Sequence, residues 1–182
     1  MDNICFEILE KVRDWGFEQI EEIDFGEAVF TAEVRSMCEM NFCGKYGKNW
    51  MCPPGVGEVE ELRAGLEKYK RSIMFNTIYK LEDSFDIEGM NSAQVAHDKL
   101  NRRLKELIEN DYNIEDVRIL GAGSCEVCEK CAYLSDEVCR FPDKAYASVE
   151  ACGMDVVKTS YKFGFKYING ENTVTYFGVV LF

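Results

Sequence analysis

The sequence predicts an α/β (or α+β) fold: one domain with a central mixed sheet, flanking helices, two cysteine-rich metal-binding loops and a C-terminal β-hairpin. Helical and strand periodicities alternate along the chain, which is typical of this class. Cysteines cluster in two short segments, and 47% hydrophobic content in 182 residues suffices for one core. No repeat or linker divides the chain, so we expect a single cysteine-rich metal-binding domain over residues 1–182.

The N-terminal part predicts one helix and two strands. Apolar residues recur at helical spacing over residues 3–15, and Gly16 is expected to end that helix. The stretches 18–24 and 28–34 alternate apolar and polar residues, which indicates strands. The first cysteines follow directly after the second of these stretches.

The middle of the chain predicts a helix, a strand and a second helix before the next cysteines. Residues 59–69 are amphipathic, residues 73–79 are apolar enough for a central strand, and a long helix is expected to begin at Ser92. A short strand at 117–120 completes a strand–helix–strand crossover, which normally joins parallel strands. If strand 28–34 runs parallel to strand 117–120, both cysteine segments emerge at one edge of the sheet and become neighbours.

The C-terminal part predicts a short helix capped by Ser148, followed by a hairpin. Tyr167-Ile168 and residues 174–181 flank the turn residues of Asn169-Gly170-Glu171-Asn172. The single histidine, His97, is expected at the surface or boundary of the long helix rather than in a metal site.

The most informative pattern is a set of four cysteines within fifteen residues, here named the second cysteine group: Cys125, Cys128, Cys131 and Cys139. Thiolates bind soft or borderline metals, and four of them complete either a cubane iron-sulfur cluster or a tetrahedral zinc site. Structural zinc usually draws its ligands from two separated Cys-x-x-Cys pairs, whereas three of these cysteines follow one another without a gap. We therefore favour a 4Fe-4S cluster, with zinc as the alternative.

Three further cysteines form the first cysteine group: Cys38, Cys43 and Cys52. Nearby glycines allow tight turns, and Pro53-Pro54 fixes the exit from Cys52, as a preorganised ligand loop requires. Three thiolates leave one iron of a cluster open for Lewis-acid or sulfur-transfer chemistry. Alternatively, Cys5 or Cys152 supplies a fourth ligand and the protein holds two clusters. The predicted metal ligands are thus all seven cysteines of the two groups.

Composition limits the partners and the compartment. With 21 basic and 33 acidic residues the formal net charge is −12, which repels nucleic acid and anionic membrane surfaces. The N-terminus lacks the pattern of a signal peptide and no apolar run approaches about 20 residues, so we expect a cytoplasmic protein. In a reducing compartment, cysteines serve more often as ligands than as disulfides. Glu126, Glu129 and Glu150 are expected to be solvated in so acidic a chain.

Residues 35–182 resemble an uncharacterised family of cysteine-rich predicted metal-binding proteins. The resemblance rests on the segments 38–54 and 123–156, including Cys139-Arg140-Phe141-Pro142 and Ala151-Cys152-Gly153-Met154. It implies seven metal-binding cysteines, those of the two groups, with Cys5 and Cys152 as additional cysteines. It also implies an association with anaerobic organisms, but no established reaction.

Three functions follow from these observations. The first is electron transfer by an iron-sulfur protein that serves a redox partner protein. The second is a metalloenzyme that uses an open-coordination cluster at the first cysteine group, whose catalytic residues the sequence does not name. The third is a zinc-stapled structural or binding protein. No hydrolase motif or phosphate-binding loop is present in the sequence.

Overall fold

The computed structural model describes residues 3–182, and a four-stranded sheet lies at its centre. The strands are β1 (Gln19–Glu22), β2 (Ser72–Lys80), β3 (Arg118–Leu120) and β4 (Thr173–Leu181), in the order β1-β2-β4-β3. Each neighbouring pair is antiparallel, and β2 pairs with β4 along its whole length. The helices within residues 3–182 are α1 (Ile4–Val12), α2 (Ala32–Glu39), α3 (Val59–Leu66), α4 (Ile87–Asp111) and α5 (Val156–Lys162).

Each face of the sheet covers its own apolar cluster, because successive strand residues point to opposite faces. Ile73 and Phe75 pack with α1 and α4, whereas Met74 between them packs in a cluster that contains Met154 and Phe165. Met51 and Val56, which belong to the segment of the first cysteine group, pack against this apolar cluster around Met154. That segment is therefore held on the face opposite to α1 and α4.

The predicted α/β class is confirmed. The sheet is not mixed as expected, because all three of its strand pairs within residues 3–182 are antiparallel. β2 and β3 both run antiparallel to β4, so they point in the same direction, as the predicted crossover through α4 requires. The parallel pair is not formed because β4 inserts between them. The predicted C-terminal hairpin is also wrong, since residues 167–168 are not strand and β4 instead forms long-range ladders to β2 and β3.

The predicted strand over residues 28–34 is wrong as well. Only Phe30 forms an isolated bridge, to Met154, and α2 begins at Ala32. The segment from Ala32 to Glu39 contains alanine, glutamate, arginine and methionine, which favour helix over strand. The other predicted helices and strands up to residue 120 are found near their expected positions, although α4 begins at Ile87 with Asp86 as its cap rather than at Ser92.

His97 lies on the buried face of α4 and not at the surface, which corrects the sequence prediction. Its side chain is 1% exposed, and its Nδ1 lies 2.8 Å from Thr77 Oγ1 on β2. Burial lowers the pKa of His97 to about 4. A histidine in this position is uncharged at neutral pH and packs its ring against Phe75.

Stability is expected to fall between pH 7 and pH 5 because His97 takes up its proton more readily in the unfolded chain. The pKa of His97 is about 6.5 in the unfolded chain and about 4 in the folded protein. Its contribution to the free energy of unfolding is therefore fully present above pH 6.5 and is lost as the pH falls toward 4. Between pH 7 and pH 5, the free energy of unfolding should fall by about 2 kcal/mol less in His97→Asn than in the wild type. Urea unfolding at both pH values measures it, and equal pH dependence in the two proteins would contradict the assignment.

Gly178 of β4 is required by close packing. A Cβ atom built there would lie 2.4 Å from Cζ of Phe75, so Gly178→Ala is expected to destabilise the chain by about 1–3 kcal/mol. Gly65 in α3 has open space and offers a control, since Gly65→Ala should stabilise by a few tenths to about 1 kcal/mol. Chemical unfolding compares the variants, and a stable Gly178→Ala protein would show that the strand can shift.

No helix within residues 3–182 combines the length and the hydropathy needed to cross a membrane.

Candidate metal centre

The four cysteines of the second cysteine group line one small cavity. Its volume is about 20 Å³, and it is walled mainly by apolar side chains. Besides the cysteines, the lining residues are Asn49, Trp50, Met51, Val127, Phe141 and Ala145. Four thiols predicted as ligands from their spacing therefore face a common, largely apolar space.

Local backbone geometry brings these cysteines together. The loop leaves β3 through Gly123, whose φ of +75° is a conformation that glycine adopts without steric cost. A 3₁₀ turn over Ala132–Ser135 follows Cys131, and Arg140 then reaches back from beside Cys139. Its guanidinium donates to Lys130 O and to Glu137 Oε2, each at 3.0 Å. Arg140 thus fixes the position of Cys139 relative to Cys131.

The first cysteine group lies on the end of α2 and the tight turns after it. Cys38 is in the last turn of α2, Cys43 is exposed and Cys52 is buried. Gly47 N donates to Pro53 O at 2.8 Å, which closes the turn around Cys52. Burial raises the pKa of both the Cys38 and the Cys52 thiol. Thiolate formation at these two positions therefore depends on a compensating positive charge, such as a metal ion.

The two cysteine groups are neighbours. Lys45 Nζ lies 2.7 Å from Glu126 Oε1, and the Trp50 indole donates to Glu137 O at 2.9 Å. The Trp50 and Tyr133 rings also meet edge to face at 4.9 Å. Burial is the main cause that raises the pKa of the Cys52 thiol; the Asn49 side chain lowers it, and Cys43 of its own group and Cys125 of the second group raise it further. The predicted proximity is correct, although parallel strands do not produce it.

Residues 147–155, here named the bridging segment, join the backbones that lead into both groups. At one end Gly121, just before the second group, donates to Ala147 O and accepts from Val149 N, each at 3.0 Å. At the other end Thr31 N donates to Gly153 O at 3.0 Å, and Asp155 N donates to Val29 O at 2.8 Å. The segment therefore fixes the start of α2 relative to the second cysteine loop.

Arg35 is the residue that attaches α2 to this framework. Its guanidinium donates to two backbone carbonyls, Ala151 O in the bridging segment and Gly57 O after the first cysteine group. Arg35 lies three residues before Cys38 on the same helix, so its contacts orient the turn that carries Cys38. This role of Arg35 was not predicted from the sequence, although the helical spacing of Arg35 and Cys38 was an available signal.

The two remaining cysteines lie apart from the second-group cavity. Cys5 lies on the buried side of α1, in the apolar cluster that α1 shares with α4; it is 1% exposed, and burial raises its pKa to about 12. Cys152 lies in the other apolar cluster, 2% exposed, and burial likewise raises its pKa to about 12. Its charged neighbours are Arg35 and Glu150. Both cysteines behave as core residues in this fold.

Within residues 3–182, no three histidine, cysteine or acidic side chains stand in an arrangement ready to hold a single metal ion. The donor set itself nevertheless fits a metal. Four thiols share an apolar cavity, and soft thiolates are the ligands of iron-sulfur clusters and of structural zinc.

The family described as "Predicted metal-binding protein (DUF2284)" matches residues 21–182. The chain belongs to this family. The matched region of this predicted metal-binding protein contains both cysteine groups and the bridging segment, whereas Cys5 precedes it. No curated protein and no solved structure gives a match. The family resemblance expected from the sequence is thus confirmed, and metal binding is its described property.

Proposed function

We propose that this predicted metal-binding protein is a 4Fe-4S protein that transfers electrons to or from a redox partner. One observation carries the proposal: Cys125, Cys128, Cys131 and Cys139 line the same apolar cavity. A 4Fe-4S cluster bound by these thiolates would supply one-electron redox chemistry.

Two features favour a cluster over zinc in the second group. A cubane takes one thiolate per iron, so it accepts three closely spaced cysteines from one loop together with a later fourth. A single zinc ion instead requires all four sulfurs at about 2.3 Å from one centre. Residues 125–131 carry three of the cysteines on one continuous loop, as a cubane accepts. Arg140 holds Cys139, which comes later in the sequence, beside this loop.

The surrounding side chains are suited to a redox centre. Trp50, Met51 and Phe141 cover the cavity with apolar surface and limit the access of water, which is one of the properties that set the potential of a metal site. Trp50 is held in place by its bond to Glu137 O. Arg140 adds a positive charge next to Cys139, where it offsets the negative charge of thiolates.

The first cysteine group lies beside the second, which supports a second metal site that exchanges electrons with the cluster of the second cysteine group. Asn49, Trp50 and Met51, which directly precede Cys52, line the cavity of the second cysteine group, so the two groups lie close together. Phe42 and Val138, which are 88% and 84% exposed, lie beside Cys43 and Cys139. An approaching redox partner would meet apolar side chains on this side of both loops.

A metalloenzyme is the second candidate, and the exposure of Cys43 favours it. An iron held by the first cysteine group would be accessible from solvent at Cys43, as substrate binding requires. If neither redox chemistry nor turnover is found, the remaining function is that of a structural or binding protein stabilised by zinc.

A potentiometric titration followed by electron paramagnetic resonance tests the proposed function. Anaerobically purified protein should show reversible one-electron steps, with no change on addition of small molecules. A signal from one site that changes with an added substrate would favour the enzyme. Protein without any reversible step would overturn the electron-transfer proposal.

A further inference from the structure

Helix α4 contacts both ends of the loop that carries the second cysteine group. Before the cysteines, Gln94 Nε2 donates to Ala122 O at 3.2 Å. After them, Arg102 Nη1 donates to Lys144 O at 2.8 Å. Gln94 and Arg102 are two steps of four residues apart in α4, so both side chains lie on the same side of the helix. The helix therefore links the entry of the loop to its exit.

Arg102 holds the part of this loop that forms one wall of the metal cavity. Besides its bond to Lys144 O, its guanidinium carbon lies 4.9 Å from the centre of the Tyr146 ring. Ala145, the residue between these two, lines the cavity together with the four thiols. Phe141 lines it as well, and its carbonyl accepts from Ala145 N at 3.0 Å. Arg102 thus contacts both neighbours of a wall residue.

The Tyr146 ring extends this constraint to the start of the loop. A Cβ atom built at Gly121 would lie 2.4 Å from Cε2 of Tyr146, so the ring rests directly on the Gly121 backbone. A residue without a side chain is required there, because any larger one would displace the ring. Tyr146 therefore contacts Arg102 and also the backbone that leads into the first cysteine of the loop.

Asp98 fixes the orientation of the Arg102 side chain. Its Oδ2 accepts from Arg102 Nε at 2.8 Å, one helical turn away. The guanidinium is planar and rigid, so hydrogen bonds at Nε and at Nη1 fix its plane. The side chain is 32% exposed, and ion pairs near the surface contribute little to stability on their own. The main consequence of these contacts is therefore the position of the loop.

We propose that Arg102 is a positioning residue of the metal centre. By holding Lys144 and Tyr146, it fixes the cavity wall at Ala145 and keeps water and competing chelators away from metal bound by the four thiolates. Residues outside the ligand set commonly change metal affinity by about 10–100-fold. The inference rests on the proposed function and names a residue that controls how firmly the cluster of that site is held.

Arg102→Ala and Arg103→Ala in the full chain, reconstituted without oxygen, test the assignment. Arg103 is the matched control, because it follows Arg102 on α4 but its guanidinium carbon lies 3.6 Å from the centre of the Trp15 ring. Transfer of iron to a colorimetric chelator should be about 10–100-fold faster in R102A than in the wild type. The faster release should involve about four irons per chain, those of one cluster. R103A should release its iron at the wild-type rate.

Two further measurements separate positioning from a general loss of structure. The electron paramagnetic resonance signal of one cluster should change in R102A, and both signals should stay unchanged in R103A. Arg102→Lys keeps the charge but not the planar fork, so it should release iron faster than the wild type as well. This variant carries the test if R102A does not fold. Wild-type release in R102K would overturn the inference, because charge alone would then suffice.

Other results overturn the inference or the proposed function separately. A wild-type rate and signal in R102A, or equal acceleration in R102A and R103A, would show that Arg102 does not position the metal site. Zinc without sulfide in the wild-type protein would instead overturn the proposed function. The transfer of zinc to a chelator from the same variants would then decide the role of Arg102, by the same comparison of rates.

Discussion

Replacing Cys128 and Cys131 together with alanine is expected to remove about four irons and four sulfides per chain. The double variant leaves only two thiolates in the cavity, Cys125 and Cys139, too few to hold a cubane. Metal bound at the first cysteine group should be kept, because Cys38, Cys43 and Cys52 lie on α2 and the turns after it rather than on the altered loop. Iron and sulfide analysis of the folded protein measures the change.

The matched control is Cys5→Ala combined with Cys152→Ala. It also removes two thiols, but both are buried core residues outside the cavity. We expect this protein to be less stable and still to bind the wild-type amount of iron. Equal iron in the wild type and the Cys128/Cys131 variant would contradict the assignment of the second cysteine group.

Arg35→Ala is expected to destabilise the fold by about 2–4 kcal/mol and to lower metal binding at the first cysteine group. The guanidinium donates to two carbonyls, Ala151 O and Gly57 O, and its loss leaves both without this donor. Hydrogen bonds from a charged donor contribute about 1.5–3 kcal/mol each, and an unpaired buried acceptor carries a further cost. Denaturant unfolding and metal analysis measure the two effects.

Arg35→Lys and Arg13→Ala serve as controls for that experiment. Lysine keeps the charge but presents a single donor group, so it should lose part of the stability that arginine provides. Arg13 is exposed and its ion pair with Glu10 contributes little, so its loss should change stability by less than about 0.5 kcal/mol. Wild-type stability in Arg35→Ala would show that the bridging segment does not depend on this residue.

The local patterns of the sequence predicted most elements because periodicity reports burial directly. α1, α3, β2 and β3 have one buried face or are buried throughout, and each was predicted near its observed position. β4 was also predicted at residues 174–181, close to its observed bounds, but its partners were not predictable in this way. Its apolar residues fit a local hairpin equally well, and only the ladders to β2 and β3 decide the partner.

The seven cysteines could be found from spacing, whereas the contacts around them could not. Arg35 and Trp50 are far in sequence from the residues whose carbonyls they contact, Ala151 and Glu137. His97 was expected at the surface or boundary of the long helix because in sequence it lies beside the apolar stripe of that helix. The buried stripe of α4 instead includes His97 and Asn101, polar residues that periodicity of apolar residues does not detect.

The most direct test of the central claim is the metal and acid-labile sulfide content of protein purified without oxygen, with absorption spectra before and after dithionite. An iron-sulfur protein should contain about four irons and four sulfides per cluster, and about eight of each if both cysteine groups are occupied. Its broad visible absorption should bleach on reduction. Stoichiometric zinc without sulfide, even after attempted cluster reconstitution, would contradict the account.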